Sequence, residues 1–137
     1  MGGQELKLTA DTNVLVRAVT GDDARQSKIA QAALSDAEAV VVTLAALCEL
    51  VWVLSRGHKI ALAEVAEAIR RLVNSANVVV NRPAVEAGLA ILSAGGDFAD
   101  GVIAFEGRFL GADAFVSFDA AAVRLLQKNG SEALLLA

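Results

Sequence analysis

Short apolar runs rich in Val and Leu alternate along the chain with longer segments whose apolar residues recur at helical spacing. The short runs are almost continuously apolar, which is typical of strands buried on both faces of a parallel sheet. The longer segments place Ala, Leu, Val and Ile three or four positions apart, which predicts helices with one buried face. The predicted strands are 6–10, 39–43, 77–80, 114–117 and 133–137, and the predicted helices are 22–37, 44–56, 61–74, 83–94, 97–110 and 120–128.

This alternation continues over the whole length and predicts an α/β fold in which helices flank a parallel sheet. The chain has 137 residues, of which 55% are hydrophobic and 20% charged, so one sizeable core can form. We therefore expect a single domain over residues 1–137. Residues 1–5 are expected to be disordered or left over from cloning.

Net charge and cysteine content restrict the partners and the structural sites that the protein can have. The formal net charge is −4, so a nucleic-acid partner would need a local basic patch or a bridging metal. A single cysteine, Cys48, excludes an internal disulfide and, with only one His, a structural zinc site. The longest uncharged run has ten residues, whereas a membrane-spanning helix needs about 20. We expect a cytoplasmic protein with no membrane segment.

Two acids follow predicted strands directly, at the sheet edge where open parallel sheets bind ligands. Asp11 comes after strand 6–10, and Asp119 comes after strand 114–117, two residues beyond Ser117. Either acid could instead be the N-cap of the next helix, since Asp accepts hydrogen bonds from the free N–H groups of a first turn. Both interpretations remain open for each residue.

Glu49 lies in a segment in which every neighbour is apolar, from Leu44 to Leu54. A helix that is apolar all round is normally buried, and a lone buried carboxylate requires a cation or becomes protonated. The pattern therefore predicts a buried Glu49 beside a cationic partner or a metal. The alternative is a protonated Glu49 that donates a hydrogen bond to a backbone carbonyl.

Asp97 and Asp100 open a predicted helix and lie three residues apart, on neighbouring parts of one face. Asp97, which follows two glycines, is the better N-cap. Asp100 is then in the first turn, where it either stabilises the helix dipole or points into a site.

The four acids Asp11, Glu49, Asp100 and Asp119 can converge at the carboxyl edge of one sheet. Crowded carboxylates repel each other unless a cation neutralises them. Ligands that are all oxygen select hard ions such as Mg²⁺ or Mn²⁺, which hold phosphates and activate water.

The chain resembles the PIN-domain ribonucleases, and among them the VapC-type toxins of toxin–antitoxin pairs. The resemblance runs from about residue 7 to residue 126. It rests on four segments, each with one acid: LTADTNVLVRAV, VVTLAALCELVWVLSR, GGDFADGVIAFEGRFLGA and FVSFDAAAVRL. Their order and spacing together are specific, although no single segment is.

The resemblance implies a three-layer fold with a five-stranded parallel sheet, and hydrolysis of RNA by a metal-activated water. It also implies a Mg²⁺ or Mn²⁺ cofactor, a small antitoxin partner and a homodimer. Two departures from the family pattern stand out: Gly101 replaces a common Ala, at a helix cost of about 1 kcal/mol, and Ala120-Ala121 replaces a polar or basic pair. The residues assigned by resemblance are the catalytic and metal-binding acids Asp11, Glu49, Asp100 and Asp119, and the accessory residues Asp97, Ser117 and Asn13.

Two other functions fit a small acidic α/β domain. A phosphoacceptor signalling domain would also bind Mg²⁺ beside an Asp, but it needs an acidic pair after the first strand and a Lys after the last one. A catalytically inactive PIN-fold protein, kept for association, is the other alternative, and metal titration separates it from an enzyme. His58 is expected to be a surface residue, while Cys48 and Trp52 are expected in the core, with a partner contact open for Trp52.

Overall fold

The structure is a computed structural model that describes residues 6–136. Residues 1–5, with the disorder expected for them, and the last residue of the predicted strand 133–137 lie outside this range. The chain divides into two compact units, one ending at Asn81 and the other beginning at Arg82. No helix in the described range combines the length and apolar character that a membrane span requires.

The first unit contains three short parallel strands in the order β1-β2-β3. They are β1 (Lys7–Thr9), β2 (Ala39–Val41) and β3 (Val78–Val79). Val40, at the centre of β2, is fully buried and is aligned with Leu8 on one side and Val78 on the other. All three strands lie in segments that the apolar pattern predicts to be strands.

Four helices and one π-helical turn complete the first unit. Among their residues, Leu15, Leu47, Leu50 and Leu54 have no exposed surface. The backbone N–H of His58 donates to the carbonyl of Val53 at 2.9 Å and closes the π-helical turn. This turn directly follows the helix that ends at Trp52. The elements are α1 (Thr12–Thr20), α2 (Ala24–Asp36), α3 (Leu44–Trp52), the π-helical turn (Val53–Gly57) and α4 (Leu62–Val73).

Helix α1 is missing from the sequence-based prediction. Two caps delimit it: the Asp11 carboxylate accepts a hydrogen bond from the N–H of Val14 at 3.0 Å, and Gly21 ends the helix at a left-handed φ of 67°. Val16 and Val19 disfavour a helix slightly, so propensity alone did not reveal it. The Asp cap and the Gly end, taken together, are the signal that could have predicted α1.

The second unit contains three helices and two parallel strands. Its elements are α5 (Arg82–Ser93), α6 (Phe98–Phe109), β4 (Phe115–Ser117), α7 (Ala120–Lys128) and β5 (Ala133–Leu135). Strands β4 and β5 are aligned with Val116 opposite Leu134. A buried cluster of Ile91, Val123 and Leu126 packs with the start of β5.

Helices α5 and α6 approach each other at two glycines. A Cβ on Gly88 would lie 2.7 Å from the Phe98 ring, and a Cβ on Gly101 would lie 2.8 Å from the Cα of Gly88 and closer still to the carbonyl oxygen of Ala87. The sequence predicts only that Gly101 is tolerated in a helix, whereas in the structure the packing of α6 on α5 requires a residue without a Cβ at this position. Gly101 lets the two backbones pack in contact, directly after Asp100.

The predicted α/β fold with parallel strands is confirmed, and the residues described contain seven α-helices and five strands. The single five-stranded sheet is not observed, because hydrogen bonds divide the strands into a three-stranded and a two-stranded sheet. An apolar run predicts that a strand exists but carries no information about which strand pairs with it. The sheet was therefore the part of the fold least determined by the pattern.

The close packing of α5 and α6 predicts that Gly101→Ala destabilises the protein. The added methyl group would meet backbone atoms, which cannot rotate away as a side chain can. Overpacking of this kind outweighs the helix propensity gained by Ala, and we expect a net loss of about 1–2 kcal/mol in the free energy of unfolding. Chemical denaturation with urea measures this difference.

Gly107→Ala is the matched control because it lies on the same helix. The nearest atom to its new Cβ is the Cβ of Ala112 at 3.9 Å, an ordinary contact. This variant should be as stable as the wild type or more stable. Equal stabilisation by both substitutions would show that α5 and α6 do not need the glycine.

Candidate active site

Asp11 is exposed and caps α1. Its Oδ1 accepts a hydrogen bond from the N–H of Val14 at 3.0 Å, so the capping interpretation of this residue is confirmed. Asn13 is exposed in the first turn of the same helix. The segment that links β1 to α1 thus presents a carboxylate and an amide to solvent at the end of a strand.

Glu49 is exposed, and the predicted burial of its carboxylate is wrong. Helix α3 buries one face through residues such as Leu47 and Leu50, while Glu49 and Trp52 lie on the opposite face. Trp52 is 62% exposed, so its predicted place in the core is also wrong. Because the outer face of α3 is apolar as well, the residue pattern could not distinguish the two faces.

Glu49 is held by a residue that the sequence analysis missed. The hydroxyl of Thr12 donates a hydrogen bond to Oε1 of Glu49 at 2.7 Å and so connects the start of α1 to α3. The two residues are 37 positions apart. No local sequence signal predicts such a contact, although the position of Thr12 directly after Asp11 places it at the site.

Asp97 and Asp119 cap the helices that follow them in the second unit. Oδ1 of Asp97 accepts from the N–H of Ala99 at 3.1 Å. Oδ1 of Asp119 accepts from the N–H groups of Ala121 at 2.9 Å and Ala122 at 3.2 Å. Both carboxylates are therefore fixed at helix N-termini, as the alternative interpretation predicts for Asp119.

Ser117 supports Asp119 from the end of β4. Its hydroxyl oxygen accepts a hydrogen bond from the N–H of Asp119 at 2.9 Å. Asp119 therefore connects the end of β4, through its backbone N–H, to the start of α7, through its carboxylate.

Asp100 is the acid under electrostatic strain. It lies half-buried in the first turn of α6, and burial raises its pKa above the usual value of an Asp. The negative charges of Asp97 and Asp119 raise the pKa further. Asp97 and Asp119 are thus each close enough to repel Asp100, and a cation would relieve this repulsion.

The site residues fall into two sets, one in each unit. The first unit joins Glu49 to Thr12, next to Asp11, and the second unit joins Asp97, Asp100 and Asp119 electrostatically. Within residues 6–136, no three Asp, Glu, His or Cys side chains form a group that could hold one metal ion. The shared metal site of Asp11, Glu49, Asp100 and Asp119 stays a prediction. In chemical type the donors fit Mg²⁺ or Mn²⁺, since all of them are carboxylate oxygens.

One cavity of the second unit is lined by none of these acids. It has a volume of about 540 Å³ and is lined by Phe115 and Glu132 at the start of the strands, and by Arg108 of α6. A smaller cavity of about 220 Å³ adjoins Gly101. Neither lining includes an assigned acid.

His58 is exposed, as predicted. Its Nε2 lies 3.0 Å from Oδ2 of Asp22, and Nη1 of Arg17 donates to the same carboxylate at 3.0 Å. The contact with His58, and next the hydroxyl of Thr20, lowers the pKa of Asp22 to about 2. In turn, Asp22 and then the carbonyl of Val53 raise the pKa of His58. This network links the corner between α1 and α2 to the end of the π-helical turn.

A comparison with protein families matches residues 9–126 to the PIN domain. The matched segment spans most of the 137 residues and includes every acid and accessory residue assigned to the site. A comparison with curated proteins finds no match. PIN domains are a family of nucleases that typically bind divalent metals. The extent of the match shows that the chain belongs to the PIN-domain family.

Proposed function

We propose that the chain is an endoribonuclease that hydrolyses RNA phosphodiester bonds with Mg²⁺ or Mn²⁺. The observation that carries the proposal is the PIN-domain match over residues 9–126, which includes Asp11, Glu49, Asp100 and Asp119. Within that domain, Asp97 and Asp119 raise the pKa of half-buried Asp100, and a bound hard cation would relieve this repulsion. A divalent ion supplies, when bound, a lowered pKa of water and neutralisation of the phosphate charge.

The chain's own residues orient the carboxylates for this task. The backbone N–H groups at the start of α1 and α7 hold Asp11 and Asp119, and the Thr12 hydroxyl holds Glu49. Each of these bonds uses one carboxylate oxygen, so the other oxygen is the proposed metal ligand. The residues that would hold the ion are Asp11, Glu49, Asp100 and Asp119, with Asp97, Ser117 and Asn13 in accessory roles.

RNA as the substrate class comes from the resemblance to the PIN-domain ribonucleases. Two exposed aromatic side chains beside the acids support it: Phe118 is 81% exposed and precedes Asp119, and Trp52 is 62% exposed and lies one turn after Glu49. Aromatic faces stack on unpaired bases, which contributes about 1–3 kcal/mol per base. The proposed substrate is therefore RNA with unpaired bases at the cleavage site.

We further propose that the chain is the toxin of a VapBC-type pair, which acts in the cytoplasm, forms a homodimer and binds a small antitoxin. The resemblance of the four acidic segments to VapC-type toxins supports this identity. Exposed apolar side chains support association, because Phe109 is 72% exposed and Leu110 86% exposed at the end of α6.

The proposed activity predicts cleavage of RNA that depends on the metal and on the acids. Purified protein should cleave single-stranded RNA with Mg²⁺ or Mn²⁺ and leave 5′-phosphate and 3′-hydroxyl ends. Asp11→Asn and Asp100→Asn should each lower the rate by about 10²–10³-fold, because each removes a charged ligand of the ion that neutralises the phosphate in the transition state. Rates on a fluorescent RNA, with circular dichroism to confirm folding, measure the effect.

Asp36→Asn and Asp113→Asn are matched controls, since both replace exposed acids away from the assigned site. These variants should cleave at the wild-type rate. Undiminished cleavage in excess EDTA would contradict the metal mechanism. Wild-type rates in both site variants would contradict the assignment of the acids.

The raised pKa of Asp100 predicts that Asp100→Asn stabilises the metal-free protein near neutral pH. With a folded-state pKa above its unfolded value, ionised Asp100 disfavours the folded state, and this penalty disappears as the pH falls below 3.8. In EDTA, the variant should therefore melt at a higher temperature than the wild type at pH 7. This difference should shrink towards pH 4, and added Mn²⁺ should raise the melting temperature of the wild type more.

Glu106→Gln is the control for charge alone, because Glu106 is an exposed acid on the same helix. Its effect on the melting temperature should not depend on Mn²⁺. A metal-free Asp100→Asn protein that melts below the wild type at pH 7 would show that the charge of Asp100 is not a source of strain.

Association is tested separately from catalysis. Sedimentation at tens of micromolar should show a dimer, whose interface would bury about 1,200–2,000 Å². Co-expression with the product of a neighbouring small open reading frame should give a complex that co-purifies and inhibits cleavage. A monomer at this concentration would contradict the dimer, and failure to co-purify would contradict the antitoxin.

A further inference from the structure

We infer that Thr12 is a positioning residue that orients the carboxylate of Glu49 towards the bound metal. The inference rests on the proposed function, because Glu49 needs orientation only if its carboxylate serves as a ligand. It adds to the site a residue that carries no charge and that no sequence signal marked.

The hydrogen bond between the two side chains is short and involves a charged acceptor. The Thr12 hydroxyl lies 2.7 Å from Oε1 of Glu49, a distance typical of a hydroxyl that donates to a carboxylate. Such bonds are stronger than those between neutral groups. The contact is therefore able to select one conformation of the Glu49 side chain.

Glu49 is an acid that requires such a restraint. Its backbone is fixed within α3 between buried Leu47 and Leu50, but its side chain is exposed and has several rotatable bonds. Without a partner, an exposed carboxylate of this length samples many positions. A metal ligand that must first be ordered binds more weakly than one already in place.

Thr12 is well suited to provide the restraint. It is the first residue of α1, directly after the Asp11 cap, so its backbone is fixed by the hydrogen bond between Asp11 and Val14. Its branched side chain also has few rotamers. Thr12 thereby positions Glu49 relative to Asp11, because both carboxylates form hydrogen bonds with the first turn of α1.

The bond also divides the two oxygens of Glu49 between two tasks. Oε1 accepts from the hydroxyl, and Oε2 is left to bind a cation. Second partners of metal ligands commonly act in this way, and their removal costs about 10–100-fold in metal affinity or activity. A purely structural contact between α1 and α3 would instead stabilise the fold whether or not a metal is present.

The test compares Thr12→Val, which removes the hydroxyl with little change of shape, with Thr12→Ser, which keeps it. We expect Thr12→Val to weaken Mn²⁺ binding and to lower kcat by about 10-fold each, and Thr12→Ser to restore most of both. Calorimetric titration of the full chain with Mn²⁺ gives the affinity without reference to catalysis. Thr20→Val on the same helix is the control, since the Thr20 hydroxyl donates to the carbonyl of Val16.

A double-mutant cycle with Glu49→Gln tests whether Thr12 changes Mn²⁺ affinity through the carboxylate of Glu49. If Thr12 acts through the carboxylate, Thr12→Val should change Mn²⁺ affinity little in the Glu49→Gln background. An equal loss in both backgrounds, or a lower melting temperature with unchanged Mn²⁺ affinity, would overturn the positioning role.

The outcome also separates this inference from the proposed function. Weaker Mn²⁺ binding by Glu49→Gln together with wild-type binding by Thr12→Val would overturn the role of Thr12 alone. A wild-type protein that binds no Mn²⁺ in the titration would overturn both.

Discussion

The positions of the candidate acids depend on how the free N–H groups at helix starts are satisfied. Asp11, Asp97 and Asp119 each precede a helix, and each accepts hydrogen bonds through Oδ1 from the first turn. An N-cap residue directly precedes its helix, and its side chain bonds to N–H groups of the first turn, so capping holds the carboxylate next to that turn. Because a carboxylate has two oxygens, capping and metal binding are compatible roles of one side chain. Capping therefore does not exclude a metal-binding role for the same carboxylates.

Asp100 and Glu49 are not caps, and their carboxylates lie in opposite environments. Asp100 is half-buried beside two like charges, so its ionised form is disfavoured. Glu49 is exposed, and its carboxylate is stabilised by a hydroxyl donor. The apolar neighbours of Glu49 predict that the strained carboxylate is that of Glu49. In the structure, Asp100 is instead the acid disfavoured by burial and like charges, and the next residue, Gly101, packs closely against α5.

Local patterns predicted local structure well and long-range structure less well. Five strands and six of the seven helices follow from apolar spacing, and α7 was predicted with its observed bounds. Helix α1 was missed because its signal lies in its caps, Asp11 and Gly21, rather than in its spacing. The burial of Glu49, the pairing of strands and the contact with Thr12 depend on residues far apart in the chain. A single sequence contains no direct record of such contacts, and only the resemblance to a family could identify the acids as a group.

The two departures from the family pattern both lie at the starts of helices that carry site acids. Gly101 replaces a common Ala and allows contact between the backbones of α5 and α6. Ala120-Ala121 replaces a polar or basic pair, so no cationic side chain at these two positions balances Asp119. The N–H groups of Ala121 and Ala122 partly offset that charge, yet it still raises the pKa of Asp100. A basic residue at either position would relieve this repulsion from within the chain. With Ala at both positions, no side chain there relieves the repulsion between Asp119 and Asp100.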